Sequence, residues 1–206
     1  MRRTLILLGA ALLTLTACTN MNTGTPTPVT GTSDQVSSSS VGKVPGPGVP
    51  KVDQPIDTTR FKQAPCDSLT TAQVTELLGS GITPKSDLNA QGGPSCYWNV
   101  PDVSQASVAV VYNKVTHVGL TAVYGKQGTG FPFFMPMDPI DGYPTVAYGL
   151  VDERSKGRCA IALGTSDQDL VDVSIAQSEA NIGKNDPCAA AHDVTAKVLD
   201  NLRKVN

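Results

Sequence analysis

Leu170-Val171-Asp172-Val173-Ser174-Ile175-Ala176 is the stretch on which the fold turns. Val171, Val173 and Ile175 alternate with Asp172 and Ser174, the two-residue period of a strand that buries one face and turns the other outward. Soon after it, Asp186-Pro187-Cys188 opens a helix. Asp186 is a helix N-cap, and Pro187 takes the first helical position, where a missing N–H costs nothing. Val194, Val198 and Leu202 then recur every four residues as an apolar stripe. A one-faced strand followed by a one-faced helix reads as a helix laid on a sheet.

Working outward, two more strand-like runs lie at 145–151 and 158–164. Further back, Ser95-Cys96-Tyr97-Trp98-Asn99-Val100 and Ala106 to Tyr112 form a hairpin about Pro101-Asp102. Thr116 opens a weaker helix over 117–126. Thr70 and Gln73 make a capping box, Leu69 and Val74 sit as a hydrophobic staple, and Gly79 is a stop, which predicts a helix over 70–79. The order is α-β-β-α-β-β-β-α with short connections, which suits antiparallel pairing. The expectation is an α+β domain over residues 61–206, with an antiparallel sheet of about five strands and N- and C-terminal helices packed on it.

The front of the chain reads as an address. Arg2 and Arg3 precede an apolar run from Leu5 to Leu15. That run is too short to cross a hydrocarbon core of roughly 30 Å as a helix, so residues 1–17 are expected to be a cleaved signal peptide. Its end, Leu15-Thr16-Ala17-Cys18, resembles the bacterial lipobox. That resemblance implies a diacylglyceryl group on the Cys18 thiol and a chain held on the extracytoplasmic side of the cell membrane. Two acyl chains are enough for stable anchoring. Residues 18–60 are rich in Ser, Thr, Pro and Gly, with no aromatic before Phe61, and read as the lipidated cysteine followed by a disordered tether. Such a tether spans roughly 35 Å as a coil. It has no basic stretch to grip anionic lipid.

The whole chain of 206 residues carries a formal charge of −2 and two histidines. The charge excludes a basic nucleic-acid binder, and the histidine count argues against a histidine-rich metal site. Apart from Cys18, four cysteines remain: Cys66, Cys96, Cys159 and Cys188. Outside the reducing cytosol an even number implies two disulfides, for which three pairings exist. Cys66–Cys96 with Cys159–Cys188 is favoured, because each bond then pins a helix start to a nearby strand. Zinc sites want close-spaced ligands and redox sites want C-x-x-C, and neither spacing occurs among these four.

Pro65-Cys66-Asp67-x-Leu69-Thr70, Cys96-Tyr97-Trp98 and Asp186-Pro187-Cys188 together resemble the actinobacterial lipoproteins that carry domain-of-unknown-function family 3558, over about 65–205. The resemblance implies secretion, a lipid anchor and an α+β domain. It implies no activity and no catalytic residues.

No G-x-S-x-G nucleophile motif is present. His117 reads as a surface residue at a helix start, and His192 as a solvated helix residue. Gly125, Gly128 and Gly130 fit no phosphate-loop spacing, and Asp138/Asp141 and Asp167/Asp169 read as turn residues rather than calcium ligands. No metal or cofactor is expected. Phe131-Pro132-Phe133-Phe134-Met135-Pro136-Met137 is chemically unusual, since it holds three of four phenylalanines and two of four methionines. It reads as a loop, broken by proline, within the stretch from Gly128 to Pro144. Phe131, Phe133, Phe134, Met135 and Met137 then either fold over the sheet to close the core or form a candidate apolar contact for a small molecule or an envelope protein. The function expected is a non-enzymatic binding or interaction module. The alternatives are a structural or sensory accessory without a pocket, and an envelope hydrolase built around one of the histidines.

Overall fold

A computed structural model describes residues 43–100 and 106–205, all within one compact unit that spans Ser40–Asn206. Cys18 and the signal segment lie outside the described residues. The elements are α1 (Thr59–Gln63), α2 (Thr71–Leu78), β1 (Lys85–Asp87), β2 (Ser95–Asn99), β3 (Ser107–Tyr112), α3 (Thr121–Tyr124), β4 (Phe133–Ile140), β5 (Tyr143–Gly149), β6 (Arg158–Gly164), β7 (Leu170–Ala176) and α4 (Pro187–Arg203). The strands form one antiparallel sheet in the order β1-β2-β3-β7-β6-β5-β4. The domain is therefore α+β, with seven strands where about five were expected.

The two additional strands are the two edges, and each was hidden for a physical reason. β1 is three residues long and wholly exposed, so it has no apolar alternation to betray it. β4 contains Pro136 and Pro139, which an edge strand tolerates because one side of it needs no N–H donors. The register slips between Met137 and Ile140, and the β4–β5 hairpin then closes through Asp141 and Gly142, both at positive φ (48° and 86°). That is the Asp-Gly turn whose twist suits a two-residue hairpin. The stretch expected to be a loop over Phe131–Met137 is thus for the most part a strand.

One sheet face carries the main core. Cys96, Trp98, Val108, Val110, Tyr112, Ile161, Leu163, Val171, Val173 and Ile175 point to it and meet Val194, Val198, Leu199 and Leu202 of α4. Asp186 caps α4 by accepting from the N–H groups of Cys188 and Ala189, and Thr70 and Gln73 close the expected capping box on α2. The disulfides are Cys66–Cys96 and Cys159–Cys188, with Cα–Cα distances of 5.0 and 5.1 Å. Buried polar groups knit the same layer. Ser68 Oγ lies 2.6 Å from Tyr112 Oη, and Asn201 Nδ2 donates to Ser68 O and to Gln73 Oε1.

The opposite face is covered over only part of its area. β3 and β4 are far apart in the sheet, so the chain between them must cross several strands, and it carries α3 over this face. Leu120 and Val123 there pack on Val146, Ala162 and Leu170, with Val49, Tyr124, Phe131, Phe134 and Tyr148 around them. α3 is shorter than the helix expected over 117–126, and Thr116 does not cap it. Gly119 interrupts at φ +49°, where an added Cβ would lie 2.7 Å from the Asp167 carbonyl oxygen. The chain over 43–60, expected to belong to the tether, also packs on the domain, Val49 against this second cluster and Val52 and Ile56 in the main core. Val52 and Ile56 are buried, Gly46 N donates to Thr121 Oγ1, Val52 N to Asp167 Oδ1 and Ile56 N to Thr165 O. Prolines lower the ordering cost of such a segment, and two buried aliphatics then hold it.

Candidate functional site

The uncovered part of the second face is built from small residues. In strand register, Tyr97 of β2 stands opposite Ala109 of β3, Ala109 opposite Ser174 of β7, and Ser174 opposite Ala160 of β6. The next row is Asn99, Ser107, Ala176 and Arg158. These residues share one face because side chains alternate along a strand. Tyr97 bounds the row on one side, and Tyr148 of β5 rises on the other. The low floor between them is a groove of about 460 Å³, walled by the β5–β6 loop at Leu150, Val151 and Glu153. That volume lies in the range of roughly 300–1,000 Å³ that small-molecule sites occupy.

The walls of this groove set it apart. Leu150, Val151 and Tyr97 keep 73%, 67% and 47% of their surface exposed, and they account for half of the large apolar side chains that the described residues leave in water. The loop that carries Leu150 and Val151 is bonded within itself just beyond them. Asp152 accepts from Arg154 Nε at 2.9 Å and from Nη2 at 2.6 Å, as well as from the Arg154 backbone N–H. Those bonds hold the Asp152 carboxyl down at about 2. The Arg154 guanidinium in turn lies 4.9 Å from the centre of the Phe133 ring. Two further open grooves, of about 640 and 630 Å³, flank α2 on the helical side of the sheet. They lack such a concentration of exposed large apolar side chains.

At its inner end the groove meets the covered part of the face. Tyr148, which lines the groove, donates from its hydroxyl to Asp172 Oδ1 at 2.6 Å. Burial pushes the Asp172 carboxyl up to about 6, although hydrogen bonds from Tyr148 and Asn113 favour its charged form. The Tyr148 phenol is raised as well, by burial and by the neighbouring carboxylate. At the outer end stands Arg158, exposed, with no side-chain hydrogen bond or ion pair among the described residues.

The expected apolar contact residues do not form one patch. As strand neighbours they divide between the two faces. Phe133, Met135 and Met137 pack on the main core, while Phe131 and Phe134 join the second core. Phe131 stacks edge-on with Tyr148 at 4.7 Å and Phe134 with Tyr124 at 5.0 Å. All five are half-buried, and of them Phe133 alone lines the groove. His117 is exposed, and His192 meets the Asp138 backbone oxygen at 2.9 Å rather than a side chain. Trp98 is 1% exposed in the main core. Among the described residues no three His, Cys, Asp or Glu side chains gather as a metal site, and no helix is long and apolar enough to cross a membrane.

Sequence reasoning missed Tyr97, Tyr148, Leu150, Val151 and Arg158. A signal was present: three central strands place Ser or Ala at alternate outward positions, where a solvent-facing strand more often carries long polar side chains. A family model described as a protein of unknown function (DUF3558) matches residues 13–201. No curated protein and no solved structure matches the chain.

Proposed function

Since the chain belongs to the DUF3558 family, whose description assigns no activity, we propose a function from its own geometry: a lipoprotein anchored through Cys18 on the extracytoplasmic face of the membrane, whose domain is a non-enzymatic binding module of the cell envelope. The observation that carries the binding half is the convergence of exposed Tyr97, Leu150 and Val151 on one groove. Exposed apolar side chains concentrated at a concave site mark a contact surface. The groove takes the place of Phe131–Met137 as the contact region. The anchoring half is supported by the Leu15-Thr16-Ala17-Cys18 junction, which lies inside the matched residues, and by the paired cysteines, which suit an oxidising compartment.

The test is purification of the full chain from membranes in mild detergent, beside a Leu150→Asp/Val151→Asp variant, with mass spectrometry of both. The expected result is acyl modification of Cys18 in both, and small molecules that accompany the unmutated chain alone. An unacylated cytosolic chain overturns the anchor, and identical accompaniment of the two proteins overturns the groove.

A further inference from the structure

We infer that the groove between Tyr97 and the Leu150–Val151 loop takes a fatty acid, with its carboxylate on Arg158 and its chain laid over Ala176, Ser174 and Ser107 toward Tyr97. The inference rests on the binding-module reading and names the ligand class for that same site. Its first support is charge. Glu153 also lines the groove, but Lys156 Nζ lies 3.4 Å from its carboxylate and offsets its charge. Arg158 has no such counter-charge among the described residues. An unpaired guanidinium beside exposed Leu and Val matches a ligand that is anionic at one end and apolar along its length. The planar fork of arginine fits a carboxylate through two parallel hydrogen bonds.

The second support is shape and direction. The way from Arg158 on β6 to Tyr97 on β2 crosses β7 and β3, which is three strand spacings or roughly 14 Å. Ser and Ala along that way leave room for a chain lying flat on the sheet, and the half-buried Ser107, Ser174 and Ala176 still present surface to it. The opposite orientation is disfavoured, because it would set the carboxylate beside the Tyr97 ring, and Arg158 is the one cation among the described residues that line the groove. A branched or multi-ring ligand would need depth that an open floor of small residues does not provide.

Isothermal titration of the full chain in detergent-free nanodiscs tests this with dodecanoate, dodecanol and dodecylamine, each kept below its aggregation limit. The expected result is saturable binding of dodecanoate, at least tenfold tighter than dodecanol, with dodecylamine weaker still. Arg158→Gln, which removes no side-chain hydrogen bond or ion pair among the described residues, should bring dodecanoate down to the level of dodecanol and leave dodecanol unchanged. Leu150→Asp/Val151→Asp should weaken both. Equal affinity for acid and alcohol, or dodecanoate binding unaffected by Arg158→Gln, overturns the fatty-acid inference and leaves the binding module standing. Absence of saturable binding by any of the three overturns the amphiphile site, and the co-purification experiment then decides the module by itself.

Discussion

Asp172 and Tyr148 share a hydrogen bond at the border between the covered and the open parts of one sheet face. A carboxyl whose pKa rises on folding, from 3.8 to about 6 here, binds its proton more tightly in the native state. Its contribution to stability is therefore complete below about pH 4 and is lost as pH rises through about 6. A shift of this size corresponds to roughly 2–3 kcal/mol. Asp172→Asn abolishes that loss. Urea denaturation at pH 4 and pH 7.5 should show the variant gaining stability relative to the parent at the higher pH, while Tyr148→Phe, which removes a hydrogen bond to the charged form, should raise the carboxyl further. If the gap between Asp172→Asn and the parent is the same at both values, the carboxyl is ionised throughout and the burial argument fails. Asp152, held down at about 2 by Arg154, titrates well below this window and does not confuse the comparison.

β4 carries its own safeguard at the scale of an element. An edge strand offers unpaired N–H and C=O groups to any passing strand, and proline removes the donor. Pro136 and Pro139 lie on β4, beside the half-buried apolar Met135, Met137 and Ile140. A Pro136→Val/Pro139→Thr variant should therefore self-associate more strongly than the parent, and sedimentation velocity across a concentration series would show it. Unchanged sedimentation would place the protection elsewhere. The same prolines explain why this strand was not legible from sequence: a local rule that marks loops was satisfied by an edge. The elements that were legible are those with local causes, namely the Thr70 and Asp186 caps and the alternation of β7. The groove was not, because its walls are made by register. Tyr97, Ser174 and Ala160 lie far apart along the chain, and each alone reads as an ordinary outward residue. The packed chain over 43–60 escaped for a related reason, since bulk composition outweighed the few aliphatics, Val52 and Ile56, that anchor it.

Taken as a whole, the molecule is bonded covalently on one side and not on the other. Both disulfides lie on the helical side of the sheet, one binding β6 to α4 and the other binding β2 to the turn before α2. Each closes a loop worth roughly 3.5 kcal/mol on a chain-entropy model. Cys159→Ala/Cys188→Ala should lower unfolding free energy by about that amount with the fold retained, as read by urea titration under non-reducing conditions. A loss below about 1 kcal/mol would mean that packing of α4 fixes this layer unaided. Hydrogen bonds alone, with no cross-link, tie Gly46, Val52 and Ile56 to Thr121, Asp167 and Thr165. Tension applied at Lys43 thus meets a short series of hydrogen bonds from backbone N–H groups before it reaches any cross-link. Under load the strap would peel away first, pulling Val52 and Ile56 into water while the cross-linked part of the domain stayed intact.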